Sequence, residues 1–171
     1  MAGDRRIEQF QSLIAPHLAA AYNYARWLAR SPQDAEDVVQ EACVRAIEYI
    51  GSFRTGNGRA WLLTIVRNTF LNSVGSAAAR EIPTSFEDEP AIEAELTSPD
   101  AHTLLLKEID IARLKDGIES LPHDAREAIV LREIEGLSYK EISEITRVPI
   151  GTVMSRLARA RSKLQKRLND G

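Results

Sequence analysis

The sequence predicts an all-α chain of two small helical domains joined by an acidic linker, the second domain a helix-turn-helix. Three observations carry this. Apolar residues recur at three- and four-residue steps almost throughout, and no convincing alternating run marks a strand. The middle of the chain, EIPTSFEDEPAIEAELTSP over residues 81–99, loses that rhythm and gathers prolines and acids, the composition of a linker. A short capped helix, a three-residue turn and a long basic helix then close the chain. The domains predicted are 1–78 and 101–171, with 79–100 between them.

The elements follow in order. Ile7, Phe10, Leu13, Ile14, Leu18, Tyr22, Ala25 and Leu28 share one helical face, so an opening helix is expected that tolerates or bends at Pro16. Ser31-Pro32-Gln33-Asp34 is a helix start, with Ser at the cap, Pro at the first position and Asp near the positive end of the dipole. That helix should run to about Ile50 and stop before Gly51. Phe53 to Arg59 carries two glycines flanking Asn57 and reads as loop. A third helix, from about Ala60 to Val74, places Trp61, Leu62, Ile65, Val66, Thr69 and Phe70 on its apolar side, Trp61 as a core residue. Beyond the linker, helices are expected at Ala101–Ser120 and Pro122–Ile134, the latter closed by Gly136. Ser138 and Glu141 then form a capping-box pair, Thr146-Arg147-Val148 a turn, and Pro149 the first position of the last helix.

Charge is segregated along the chain. The formal net charge is −3, but residues 1–73 hold 8 basic and 7 acidic side chains, residues 74–112 hold 2 and 9, and residues 113–171 hold 12 and 9. Within the last piece, Arg147 to Leu168 contains seven basic residues and no acid. Turning about 100° per residue, Val153, Leu157, Ala160, Leu164 and Leu168 form one stripe of that helix. Thr152, Ser155, Arg159, Lys163 and Lys166 fall opposite, with Arg156 at the flank. Arg161 lies close to the apolar stripe, so its stem is expected to run along the core edge in a structural role. Arg and Ser in the first turns of the second helix of a helix-turn-helix are the side chains that reach major-groove base edges and phosphates. A merely solvated face, an anionic membrane surface and a calmodulin-type target are the competing readings. The membrane reading is weakened because the stripe has no Trp or Phe and is needed for packing.

Other classes find little support. One cysteine, Cys43, excludes an internal disulfide framework and fits a reducing compartment, and Cys43 itself reads as a buried small apolar residue. No signal-peptide pattern or long apolar run appears, so a soluble cytoplasmic protein is expected. His17, His102 and His123 are scattered without a second ligand at metal spacing, and no nucleotide loop, nucleophile elbow or paired-cysteine motif is present. No enzyme, metal or cofactor is predicted.

With these residues in hand, the chain resembles the extracytoplasmic-function (ECF) class of bacterial RNA polymerase sigma factors. The resemblance rests on DAEDVVQEACVRAI (34–47), FRTGNGRAWLLTIVRNTFLN (53–72) and LSYKEISEITRVPIGTVMSRLARARSKL (137–164), in this order. It implies a subunit that binds core RNA polymerase and directs initiation by recognising −10 and −35 promoter elements. On it, Asp34, Glu36, Asp37, Gln40 and Glu41 dock on the coiled coil of the largest polymerase subunit. Arg54, Thr55, Asn57 and Arg59, with Asn68 and Asn72 on the following helix, capture an unstacked −10 base and its strand, whose Watson–Crick edges are open to Asn. The −35 contacts fall on Thr152, Met154, Ser155, Arg156, Arg159 and Lys163. Met154 departs from the family, which usually has Lys or Arg there; a thioether cannot donate to guanine but can meet a thymine methyl. Arg67 is a second departure, at a position more often apolar. The resemblance also implies an anti-sigma factor that covers these faces. Two other readings stay open: a stand-alone helix-turn-helix regulator, and a sigma-like mimic that sequesters an anti-sigma factor.

Overall fold

A computed structural model describes residues 2–29, 31–54, 56–80 and 111–170, with the backbone alone for 75–80. Thr55, the predicted linker from residue 81 and the predicted helix over 101–110 lie outside the described residues. Among the described residues every regular element is helical. The described residues divide into two compact units, one built chiefly on residues 2–80 and one chiefly on residues 111–170.

The first unit contains α1 (Ala2–Leu13), α2 (Leu18–Leu28), α3 (Pro32–Tyr49) and α4 (Gly58–Arg80). The opening helix is broken rather than bent: Ala15–His17 form a 3₁₀ turn around Pro16, which cannot donate to the preceding turn. Ser31 caps α3 as expected, its Oγ accepting from the Asp34 amide at 3.1 Å, and α3 runs into a 3₁₀ turn at Ile50–Ser52. The predicted third helix is longer at both ends than its apolar rhythm suggested. α2, α3 and α4 pack against one another around Ile14, Tyr24, Ala35, Ala42, Leu62, Leu63 and Val66, each at most 0 % exposed.

The second unit contains α5 (Ile111–Glu119), α6 (His123–Ile129), a π turn (Val130–Ile134), α7 (Tyr139–Thr146) and α8 (Ile150–Asp170). α6 and α5 both pack on α8, and Arg113 of α5 donates to the Leu168 carbonyl near the end of α8 at 2.8 Å. The helix predicted over Pro122–Ile134 is not α-helical to its end. Its last turn widens, the Glu135 amide reaching the Val130 carbonyl at 3.0 Å, five residues back. Gly136, at φ 68°, then turns the chain in a conformation that suits a residue without Cβ.

The helix-turn-helix forms through local bonds that the sequence announces. Ser138 Oγ accepts from the Glu141 amide at 3.1 Å and Glu141 Oε1 accepts from the Ser138 amide at 2.9 Å, a complete capping box. Arg147 closes α7 in the left-handed region at φ 59°, with its amide on the Ser143 carbonyl at 2.8 Å. Ser143 Oγ donates to the Val148 carbonyl at 2.5 Å, and the Pro149 carbonyl accepts the first amide bonds of α8.

An exposed arginine in the left-handed region carries a steric cost of roughly 1 kcal/mol that glycine avoids. Arg147→Gly is therefore expected to stabilise the second unit by at most about 0.5 kcal/mol, after the extra unfolded-state entropy of glycine is counted. A rise in the urea midpoint with unchanged slope is the signature.

Candidate nucleic-acid interface

In the first unit two surfaces carry the predicted residues. Asp34, Glu36, Asp37, Gln40 and Glu41 all lie exposed on α3. Asp37 and Glu41 are like charges one turn apart, and each has a neighbour that relieves it. Gln33 donates to Asp37 Oδ1 at 3.0 Å, and Arg45 Nε pairs with Glu41 Oε1 at 3.3 Å. Val44 continues the same three- and four-residue row and is 53 % exposed, a large apolar surface beside acids. The spacing of 37, 40, 41 and 44 was available in the sequence, but only its polar members were singled out there. Cys43 beside it is half-buried, and that burial raises its thiol pKa.

The second surface is the loop entering α4. Asn57, predicted at the approach to the −10 base, uses its side chain to cap the helix: Oδ1 accepts from the Arg59 amide at 2.9 Å and the Ala60 amide at 3.3 Å. Gly58 is buried, and a Cβ there would lie 2.9 Å from the Leu13 carbonyl oxygen and 3.4 Å from the His17 ring. The loop is thus pressed onto the end of α1 and the turn that follows it. The Phe53 and Trp61 rings pack at 5.3 Å between centroids, tilted by 57°, and brace the loop from its other end. Arg54 and Asn72 are exposed, while Arg59 and Asn68 are half-buried. Asn68 and Asn72, four residues apart, share a face of α4 beyond this anchored start. His17 is the residue that sequence reasoning missed here. Partial burial, and then the positive charge of Arg59, lower its pKa and favour a neutral imidazole.

In the second unit α8 buries its predicted stripe, with Val153, Leu157, Ala160 and Leu164 at most 5 % exposed and Leu168 intermediate. The basic side departs from expectation. Thr152, Met154 and Ser155 are half-buried and Lys163 and Lys166 exposed, but Arg156 and Arg159 are buried at 7 % and 6 %. Arg156 is drawn in by Asp124 of α6, Nη2 to Oδ2 at 3.6 Å, and Arg159 has polar or charged interactions of its own. Arg161 behaves as predicted: it runs along the core edge and donates Nε and Nη2 to Glu133 Oε1 at 3.0 and 2.5 Å. Ser155 Oγ donates back to the Gly151 carbonyl at 3.0 Å. Asp124 and Glu133 could not be found from sequence spacing, since each lies about thirty residues from its partner.

Among the described residues no group of His, Cys, Asp and Glu could hold a metal ion, and no helix is long and apolar enough to cross a membrane.

A helical unit with an acidic exposed helix and an anchored loop, followed by a helix-turn-helix, defines a DNA-directed transcription factor of the sigma type. The Sigma-70 region 2 family matches residues 13–80 and the Sigma-70 region 4 family residues 111–164. The chain belongs to the sigma-70 family, in its ECF class. It is 38% identical over 176 residues to the RNA polymerase sigma-H factor of Pseudomonas aeruginosa, spanning 97% of this chain and 88% of that one. It is 40% identical over 146 residues to the ECF RNA polymerase sigma-E factor of Escherichia coli K12, covering 79% and 74% respectively. Among solved structures, the sigma factor RpoE in complex with the anti-sigma factor NepR from Bartonella quintana is similar at a TM-score of 0.69 and 33% identity, covering 94% of this chain and 96% of that one. CnrH in complex with the cytosolic domain of CnrY is similar at 0.66 and 27% identity, covering 99% and 93%.

Gly58→Ala should cost the first unit about 1–3 kcal/mol, because the new Cβ meets backbone that cannot swing aside; chemical denaturation followed through Trp61 fluorescence reads it. The lowered His17 pKa has a defined sign. Between the ordinary value and the lowered one, the unfolded chain binds a proton that the folded chain does not, so stability falls as pH drops through that window. His17→Gln should flatten the decline below about pH 6.5, read as urea midpoints across a pH series.

Proposed function

We propose that the chain is a promoter-specificity subunit whose two units divide the promoter between them, residues 1–78 engaging polymerase and the −10 element and residues 101–171 the −35 element. The observation that carries this is a single chain presenting the exposed acidic row Asp34, Glu36, Asp37, Gln40 and Glu41 together with the anchored loop before Asn68 and Asn72. A stand-alone helix-turn-helix regulator needs neither. Arg54 and Arg59 supply positive charge at the mouth of the loop, Asn68 and Asn72 supply amides for the edge of an unstacked base, and Asn57 holds the helix start that places them. On α8, Thr152, Ser155 and Arg159 read base edges, Lys163 holds phosphate, and Met154 offers an apolar contact where a cation is usual.

Arg159 is only 6 % exposed, so reading the −35 element requires it to be uncovered. Polymerase is the partner for that step, and an anti-sigma factor is the partner that opposes it; the similar sigma factor RpoE is found in complex with the anti-sigma factor NepR. The protein acts in the cytoplasm, by positioning rather than catalysis.

Run-off transcription with core polymerase on a promoter library tests this reading, and no specific initiation under conditions where a control sigma factor works would refute it. Asn68→Ala should lower initiation roughly tenfold through the −10 element, and Arg159→Ala by a similar factor through the −35 element, the loss of one base-edge contact of about 1–3 kcal/mol. Each variant should be insensitive to further changes in its own element and normally sensitive in the other. Unchanged initiation from both would remove these residue assignments.

A further inference from the structure

α8 is held to its own unit by two carboxylate–guanidinium pairs as well as by its apolar stripe. Arg156 meets Asp124 of α6 with side chains 9% and 8% exposed. Arg161 meets Glu133 of the π turn with side chains 6% and 21% exposed, through two nitrogens on one carboxylate oxygen. Five residues of α-helix separate the two arginines, so they leave the axis roughly 140° apart and about 7.5 Å apart along it. Apolar contact is non-directional and tolerates small rotations of a helix on its stripe. Two charged pairs on different sides, at different heights, do not. The Arg161–Glu133 pair adds charge-assisted hydrogen bonds, which also demand direction and a short distance.

We propose that Asp124 and Glu133 are positioning residues of the −35 head. They set the rotation and height of α8, and thereby aim Thr152, Ser155 and Arg159. Arg156 and Arg161 then act as tethers that spend their charge inside the protein instead of on DNA. This rests on the reading of α8 as the −35 helix given under Proposed function. The π turn belongs to the same device: its wider winding gives Glu133 a direction that a continued α-helix would not. The tether is also screened little by salt compared with an exposed pair, because both arginine side chains are buried.

The experiment reconstitutes holoenzyme with full-length variants and measures initiation on two promoter series, one with single-base changes in the −35 element and one in the −10 element. Thermal unfolding of each variant runs in parallel. A wrong base in a well-read element costs roughly tenfold or more. Glu133→Gln and Asp124→Asn should compress that −35 penalty to about threefold or less while leaving the −10 penalties unchanged. The charge-swapped double variant E133R/R161E should restore the −35 penalty, because it rebuilds the pair with the ends exchanged. A lowered unfolding midpoint with undiminished −35 penalties would overturn the proposal, leaving the pairs as stabilisers only. Failure of the swap to restore discrimination in a folded protein would also overturn it, since Arg161 would then be touching DNA itself. Where Glu133→Gln does not fold, Arg161→Lys keeps the charge, shortens the fork and carries the same expectation. If wild-type holoenzyme shows no −35 penalty at all, the reading of α8 fails, a result distinct from either of these.

Discussion

On the proposed reading, one helix in this protein has to be core and reading surface at once, and much of the second unit follows from that demand. α8 buries Val153, Leu157, Ala160 and Leu164, yet the residues between them include Arg156, Arg159 and Arg161, each 6–7 % exposed. A guanidinium taken out of water is costly unless a carboxylate meets it. The acids of the preceding segment, Asp124 and Glu133, meet that need for Arg156 and Arg161, and so count among the 9 acids set against 12 bases over residues 113–171. This internal pairing lowers the charge that α8 shows to solvent, where Lys163, Lys166 and Arg167 are exposed.

The first unit meets the same demand with neutral groups. α4 buries Leu62, Leu63, Val66 and Phe70 and turns Asn68 and Asn72 toward the other side. Its start is set by three independent contacts: the Asn57 cap, the close approach of Gly58 to Leu13 and His17, and the Phe53–Trp61 pair. On the proposed reading, a site for a flexible single strand gains from such rigidity, because the entropy lost on binding then falls mainly on the nucleic acid. The neutrality of His17 fits the arrangement, since a protonated imidazole would face Arg59 and the positive end of α4.

What could be read from the sequence was what is decided locally. Ser31 and Ser138 announce their helices because a cap is made within three residues, whereas Pro16 was read as tolerated or a bend and in fact breaks the helix. The apolar stripe of α8 was legible because burial repeats with the helical period. The π turn was not, since Val130 to Ile134 continue the apolar rhythm of α6 and nothing in their types demands a wider turn. Nor were the partners of Arg156 and Arg161: an arginine at the flank of a stripe looks identical whether it faces water or an acid from a distant helix. Hence Arg161 was placed correctly by its angle alone, and Arg156, at an angle that permitted either outcome, was placed outward when it turns in.

These pairings bear on Met154. Counted along the sequence, α8 and the turn before it offer seven cations to DNA. Arg156 and Arg161 are engaged by carboxylates, and Lys163, Lys166 and Arg167 lie about one to two turns beyond Arg159. On the proposed reading, Thr152, Met154, Ser155 and Arg159, in the first three turns of α8, discriminate sequence, Arg159 once it is released from its burial and its own interactions. On that reading, Lys or Arg at position 154 would add a long donor, whereas Met154 selects for an apolar surface such as a thymine methyl. A thioether donates to no guanine, so the head has one long donor fewer than it would with Lys or Arg there. On the proposed reading it therefore depends more heavily on α8 being held at the right angle, because fewer base-edge contacts remain to correct its aim.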